Sequence, residues 1–458
     1  MILSVIVLFI IIQSSLFCYI DPGTGSLLFS ALFGIIGTLF FLSKALLIKL
    51  KTFSFADKIN KKENISKAKI IIYGEDKRYY NVFKPIIEEL INLEIPTIYY
   101  SSSEDDKIFE IKSDFLKSEF IGTGNKAYAK LNFIEADICL MTTPNLDVFQ
   151  LKRSKGVKKY VHITHSSAET STYCLYSLDF FDAVLLSGEN QINDIRELEN
   201  LRGTKVKELD IIGSVYLDEL EKKKKFLNTN SEIKNKRNTI IKDLYVVGNP
   251  YLDELSKMKE TITKENNNKK TILIAPSWGM NCLFRRFGEK LLDNIVNSDY
   301  NIIIRPHPQS LISDKDIIDK FQNRYKDKNN VEWDFNRVNI YSLSKADIMI
   351  SDFSGVIFDY AFLFEKPVII PSFTFDKRGT DAIEIDEEVW TFETLPKISF
   401  KLDENNFSNI SQIIEDSINN ETLKNNILKA KEEAYMYEGQ ASKRAAQFLN
   451  DMLITINN

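Results

Sequence analysis

The chain has 458 residues, and 59 basic against 64 acidic side chains give a formal net charge of −5. That length suits two or three folding units of ~150 residues, and 44% apolar with 27% charged residues is a globular composition that excludes a disordered or collagen-like chain. The mild acidity excludes a nucleic-acid binder that works through a broad positive surface, since phosphate-backbone affinity needs clustered Lys and Arg. Cys18, Cys139, Cys174 and Cys282 are scattered without CxxC spacing, so neither a disulfide framework nor a zinc ribbon is indicated and a reducing compartment is expected.

Met1 to Ile20 carries no charge, and after Asp21-Pro22-Gly23-Thr24-Gly25 a second apolar stretch runs from Ser26 to Leu50, interrupted only by Lys44 and Lys49. At ~1.5 Å rise per residue each stretch is long enough for a ~30 Å hydrocarbon core. Residues 1–50 are therefore expected to be a transmembrane segment or hairpin. A cleaved first stretch ending near Tyr19 is the other topology, weakened by the missing basic n-region. Lys44, Lys49, Lys51, Lys58, Lys61 and Lys62 follow the second span and place the remainder on the cytoplasmic side by the positive-inside rule.

From about Lys67, short apolar runs alternate with amphipathic stretches, the pattern of parallel α/β units. Strands are predicted at Lys69–Tyr73, Thr97–Tyr100, Asp137–Met141, Lys159–Ile163, Ala183–Ser187 and Val206–Ile212, with helices at Tyr80–Leu93 and Glu189–Leu201. A second series has strands at Thr271–Ala275, Asn301–Arg305, Ile348–Ser351 and Val368–Ile370. Helical patterns at Gly288–Asn297, Ser313–Tyr325, Val338–Ala346, Ser354–Leu363 and Ser408–Leu449 fill its gaps. The expected organisation is an N-terminal Rossmann-like domain over 67–215, a linker over 216–270, a C-terminal Rossmann-like domain over 271–400 and C-terminal helices over 401–458. The linker holds a local repeat: Ile211-Ile212-Gly213-Ser214-Val215-Tyr216-Leu217-Asp218-Glu219-Leu220 returns as Val246-Val247-Gly248-Asn249-Pro250-Tyr251-Leu252-Asp253-Glu254-Leu255. One repeat is too few for a solenoid and reads as a duplicated strand end and linker.

The three histidines fall in two places. Arg305-Pro306-His307-Pro308 follows a buried-looking strand, and open α/β sheets bind ligands at that carboxyl end. The flanking prolines fix how the imidazole projects. In Tyr160-Val161-His162-Ile163-Thr164-His165-Ser166-Ser167, strand alternation puts His162 on a sheet face and His165 in the loop beyond, where an ordinary pKa near ~6.5 suits a general base. No Cys or carboxylate cluster completes a metal set with them, so no metal is assigned. Ser351-Asp352-Phe353-Ser354-Gly355 reads as a strand end followed by a helix start. There small residues let a phosphate approach free amides, Ser351 and Ser354 add hydroxyls, and Asp352 either orients a ribose or caps the helix. Ala275-Pro276-Ser277-Trp278-Gly279 ends another strand, with Ser277 a further phosphate-side candidate and Trp278 either a pocket wall or core. No Walker A, HExxH, GxSxG or kinase pattern occurs.

Together, Ala275-Pro276-Ser277-Trp278, Arg305-Pro306-His307-Pro308, Ser351-Asp352-Phe353-Ser354 through Phe358-Asp359, and Lys366-Pro367-Val368 resemble, in order and spacing, the C-terminal half of the CDP-glycerol:poly(glycerophosphate) glycerophosphotransferases, the teichoic-acid primases and polymerases. The resemblance covers about Ile272 to Ile370. It implies a GT-B-like α/β fold with two Rossmann-like domains facing a crevice, and a bacterial cell-membrane enzyme with no cofactor. It also implies a CDP-activated polyol donor and a lipid-linked glycan or polyol-phosphate acceptor, with CMP released. Carried over residue by residue, Arg305 and His307 with Ser351, Asp352, Ser354 and Gly355 face the CDP diphosphate, and His165 or His162 is the base. The family's base histidine precedes a glycine and then a lysine, whereas Ser166 and Ser167 follow His165, so the choice between the two histidines stays open. A UDP-sugar glycosyltransferase or epimerase would use the same crevice, and a membrane-tethered nucleotide-binding protein without activity is the reading from another class.

Overall fold

The structure is a computed structural model that describes residues 68–168, 170–202, 240–263, 269–372 and 377–458. The expected membrane segment 1–50, the predicted strand Val206–Ile212 and the first copy of the local repeat lie outside the described residues.

Within 68–458 the chain builds two parallel sheets. The first contains β1 (Ala68–Gly74), β2 (Thr97–Ser101), β3 (Leu116–Phe120), β4 (Glu135–Met141), β5 (Gly156–Ile163), β6 (Ala183–Leu186) and β7 (Asp243–Val246), in the order β3-β2-β1-β4-β5-β6-β7. The second contains β8 (Thr271–Ile274), β9 (Asn301–Ile304), β10 (Val331–Trp333), β11 (Ile348–Ile350), β12 (Val368–Pro371) and β13 (Ser399–Leu402), in the order β10-β9-β8-β11-β12-β13. Both orders reverse once, between β1 and β4 and between β8 and β11, which opens a crevice at each switch point on the carboxyl side of the strands. The central strands are fully buried and almost wholly apolar: β8 reads Thr-Ile-Leu-Ile and β11 Ile-Met-Ile, covered on both faces, as helix-covered parallel strands require. The expected α/β class with two Rossmann-like halves is what the chain forms.

Two expectations about the connections change. The stretch 216–270 is not only a linker: its described part contributes β7, which pairs parallel with β6, and the helix Pro250–Thr261. The second copy of the repeat spans that strand's end and this helix's start. Asn249 caps the helix by accepting from the amides of Tyr251 and Leu252, and Pro250 occupies the first turn, where a missing N–H costs nothing. The helical stretch expected from Ser408 to Leu449 is three helices, Ile410–Ile418, Glu421–Ala434 and Ala441–Asn457. Asn420 caps the second of them, and Tyr437 and Gly439 with positive φ break the chain before the third.

The last helix returns to the first half. Ala445, Ala446, Leu449 and Leu453 share a core with Ile70, Phe83, Ile86 and Leu140. The returning segment is clasped where it passes the inter-sheet connection: Asp253 accepts from Tyr435 Oη at 2.7 Å, Gly439 N at 2.8 Å and Ala441 N at 2.9 Å. At Gly248 (φ 97°) a Cβ would approach Met436 O to 2.6 Å, so this crossing admits only glycine.

Candidate functional site

A cleft of about 770 Å³ lies between the carboxyl ends of the two sheets. Each half contributes the loops that follow its central strands: Arg78 to Val82 after β1 and His165 to Ala168 after β5, then Ala275 to Asn281 after β8, Arg305 to Pro308 after β9 and Phe353 to Asp359 after β11. In a chain of net charge −5 this cleft is lined, among the described residues, by five cationic side chains, Arg78, Lys107, Arg286, Arg305 and Arg337, against one carboxylate, Asp359. Low-dielectric walls with one sign of charge concentrate an anionic ligand.

The structure brings His165, His307, Arg305, Ser354 and Gly355 together on the cleft wall. His165 comes from the first half, and its ring meets Tyr79 edge-on at 5.1 Å and stacks on Tyr173 at 6.2 Å. Burial first, and then the nearby Arg78 charge, lower its pKa to about 4. His165 is therefore a neutral imidazole at pH 7, able to take a proton but weaker than a base at 6.5. His307 comes from the second half and is also lowered to about 4, by burial and then by Arg78 and Arg305, with Asp314 opposing. The Gln309 amide donates to His307 Nδ1 at 3.1 Å, so the proton sits on Nε2 and a neutral N–H donor remains. Ser354, Gly355 and Val356 line the cleft at the start of the helix Val356–Phe364, where the Ile357 and Phe358 amides donate to the Ser354 and Gly355 carbonyls and the Gly355 and Val356 amides precede that first closed turn. A side chain at Gly355 would meet Ser166 Oγ of the opposite half at 3.4 Å.

Four expected site residues lie beneath the wall. His162 is fully buried on β5 between Phe181 (5.2 Å) and Tyr173 (6.2 Å), neither ring nitrogen has a partner, and burial first, then His165, lower its pKa to about 3. Strand alternation places it inward, away from the cleft wall that His165 lines. Ser351 Oγ donates to the Ala275 carbonyl at 2.5 Å, tying the end of β11 to the end of β8. Asp352 is 3% exposed and accepts from the Ser277 amide at 2.8 Å, Ser277 Oγ at 2.9 Å, the Leu283 amide at 2.7 Å and the Phe353 amide at 2.7 Å. Ser277, Ser351 and Asp352 thus shape the loops that present Trp278, Ser354 and Gly355, and their polar atoms are engaged within the protein.

Arg305 is partly committed as well. One terminal nitrogen donates to Asp334 at 2.5 Å and the other to the Asn336 carbonyl at 2.8 Å. The sequence reading missed Arg78, Lys107, Arg286, Arg337 and Asp359. Asp359, in the first turn of its helix, accepts from Asn339 Nδ2 at 3.1 Å, and Asn339 accepts from Tyr251 Oη at 3.2 Å. Burial raises Asp359 to about 7, against the opposing Asn339 hydrogen bond and Arg305 charge. The rule that located Arg305, a charged residue just past a central strand, also marks Arg78 just past β1. Among the described residues no group of three or more His, Cys, Asp or Glu is arranged to hold a metal ion.

Residues 227–381 match the family model described as CDP-Glycerol:Poly(glycerophosphate) glycerophosphotransferase. No curated protein matches the chain in sequence. Among solved structures it is similar to the wall teichoic acid polymerase TagF (16% identity, 91% of this chain and 97% of that one, TM-score 0.49). It is also similar to MnaA of S. aureus in complex with UDP (14% identity, 85% and 98%, TM-score 0.51). The likeness to MnaA is one of fold.

Proposed function

We propose, from the premise that this chain is an enzyme of the CDP-glycerol glycerophosphotransferase family, that it moves glycerol phosphate from CDP-glycerol to a hydroxyl of a lipid-linked glycan or polyol-phosphate acceptor and releases CMP. The observation that carries this reading is the presence of His165 and His307, from opposite halves, in one cationic cleft beside the Gly355 and Val356 amides of a helix start. The acceptor hydroxyl gives its proton to neutral His165 and its oxygen forms a bond to the β-phosphorus. The bond from that phosphorus to the CMP oxygen breaks, and CMP leaves with the electron pair. The His307 Nε2–H and the helix-start amides of Gly355 and Val356 hold the charge that builds on the phosphoryl oxygens and the departing CMP. Phosphoryl transfer depends chiefly on such positioning and electrostatics.

Membrane attachment through residues 1–50 is part of the same proposal and rests on their sequence. Among the described residues no helix is long and apolar enough to cross a membrane.

The test is nucleotide release by the full chain from CDP-glycerol, CDP-ribitol and UDP-N-acetylglucosamine, each with and without a polyol-phosphate acceptor. CMP released only with acceptor supports the reading, and UDP released from the UDP-sugar alone replaces it with a sugar-nucleotide enzyme. His165→Ala and His307→Ala are each expected to lose about a hundredfold in turnover, the cost of one positioned donor or base, with an unchanged melting temperature. Near-wild-type turnover in either variant refutes that residue's role.

A further inference from the structure

Arg78 stands apart from the other cations of the cleft. It follows β1, the strand at which the first sheet's order reverses, and the turn that carries it is fixed. A Cβ at Gly74 would meet Tyr99 Oη at 2.1 Å, so only glycine lets the chain leave the strand there. Two residues on, Asp76 accepts the Arg78 amide at 2.8 Å and caps the short 3-10 turn Lys77–Tyr79. The Arg78 guanidinium lies over the Tyr79 ring at 5.5 Å, and the same ring meets His165 at 5.1 Å, so cation, phenol and imidazole form one layer along the cleft.

Among the described residues its terminal nitrogens have no hydrogen-bond or ion-pair partner. Among the described residues the one ion pair of Arg78 is a half-exposed contact of Nε with Asp76 at 3.6 Å. Arg305, by contrast, spends both terminal nitrogens on Asp334 and Asn336. Arg78 is also the cation whose charge reaches both His165 and His307, whereas the Arg337 charge is felt at Tyr99 and Asp105. A planar guanidinium that presents both terminal nitrogens binds phosphate bidentately and is not equivalent to lysine there.

We infer that Arg78 is a catalytic residue of the proposed transfer: from the N-terminal half it grips the phosphoryl group in transit between His165 and His307, opposite the helix-start amides of the C-terminal half. This rests on the proposed function for the identity of the nucleotide, but not for the presence of a second phosphate. The group Arg78 holds is the phosphate that distinguishes a nucleoside diphosphate from a monophosphate. Cationic clamps of this kind typically contribute a hundredfold or more to phosphoryl transfer.

The experiment compares full-length wild type, Arg78→Ala and Arg78→Lys by calorimetric titration with CDP and with CMP. Arg78→Ala is expected to weaken CDP binding about tenfold or more, the loss of one charged hydrogen-bonded contact, while CMP binding stays within about twofold and Arg78→Lys falls between. Equal losses for CDP and CMP overturn the proposal. Wild type that binds UDP and not CDP overturns the CDP donor alone, and the UDP-against-UMP ratio then judges Arg78 by the same criterion. Binding of neither diphosphate overturns both. A second readout needs no nucleotide: with three histidines in the chain, imidazole NMR resolves each titration. Arg78→Ala should move His165 and His307 to higher pH and leave His162 in place. Unmoved His165 and His307 titrations place Arg78 away from them and refute the assignment.

Discussion

Asp352→Ala separates a ligand from a scaffold. The carboxylate accepts four hydrogen bonds in a position 3% exposed, from Ser277 N, Ser277 Oγ, Leu283 N and Phe353 N. Truncation frees the Ser277 hydroxyl to rotate and leaves the part-buried Phe353 amide within reach of water. The buried Ser277 and Leu283 amides lose their acceptor. At about 1–3 kcal/mol per unpaired buried donor, and with one water entering the vacated space, the expected loss is about 3 kcal/mol. A unit of this size loses roughly 2–4 °C per kcal/mol, so the melting temperature should fall by about 6–12 °C. Ser277→Ala, which removes a single hydroxyl donor, should cost about 1 kcal/mol. Differential scanning fluorimetry measures both, and calorimetry measures CDP affinity at a temperature where the variant is folded. An unchanged melting temperature together with a more than tenfold loss of CDP affinity would refute the reasoning and make Asp352 a nucleotide contact.

His162→Leu should retain turnover within a few-fold and keep or raise stability, because it replaces a buried imidazole with two unpartnered nitrogens by an apolar side chain; loss of turnover in a folded variant would return His162 to the base role. The folded protein holds His162 at about 3, against ~6.5 in the unfolded chain, so the unfolded chain binds the extra proton between those values. Stability from this group is complete above ~6.5 and is lost as pH falls toward 3, by up to about 1.4 kcal/mol per pH unit. Urea unfolding of His162→Leu from pH 7 to 5 should show a correspondingly shallower slope, and equal slopes would contradict the assigned shift. Arg202, 7% exposed, pairs with Asp179, Asp381 (2.6 Å) and Glu384 (2.8 Å), joining the two halves away from the inter-sheet connection. Arg202→Met should cost about 3–5 kcal/mol by stranding buried carboxylates, and a melting temperature within 2 °C of wild type would refute that.

The strands that periodicity missed are the four sheet edges: β3 and β7 of the first sheet, β10 and β13 of the second. Their sequences, Leu-Lys-Ser-Glu-Phe, Asp-Leu-Tyr-Val, Val-Glu-Trp and Ser-Phe-Lys-Leu, lack the continuous apolar run of a strand covered on both faces, because an edge strand is only partly covered. The break of the expected 408–449 helix was readable at Asn419-Asn420. The break at Tyr435–Gln440 was not, since it is held by Asp253, 182 or more residues away in the chain.

By itself the sequence determined the α/β class, the central strands of both sheets and the motif positions at strand ends, because burial between helix layers and turn chemistry are local demands on residue type. Tertiary structure alone decided which of those residues reach the cleft. His162 and His165 differ by three positions, yet one faces the core and the other the opposite half, and Ser277 and Asp352 find each other across 75 residues. The five cations of the cleft come from segments between Arg78 and Arg337. Their field exists only where two sheets with reversed strand order bring their carboxyl ends face to face.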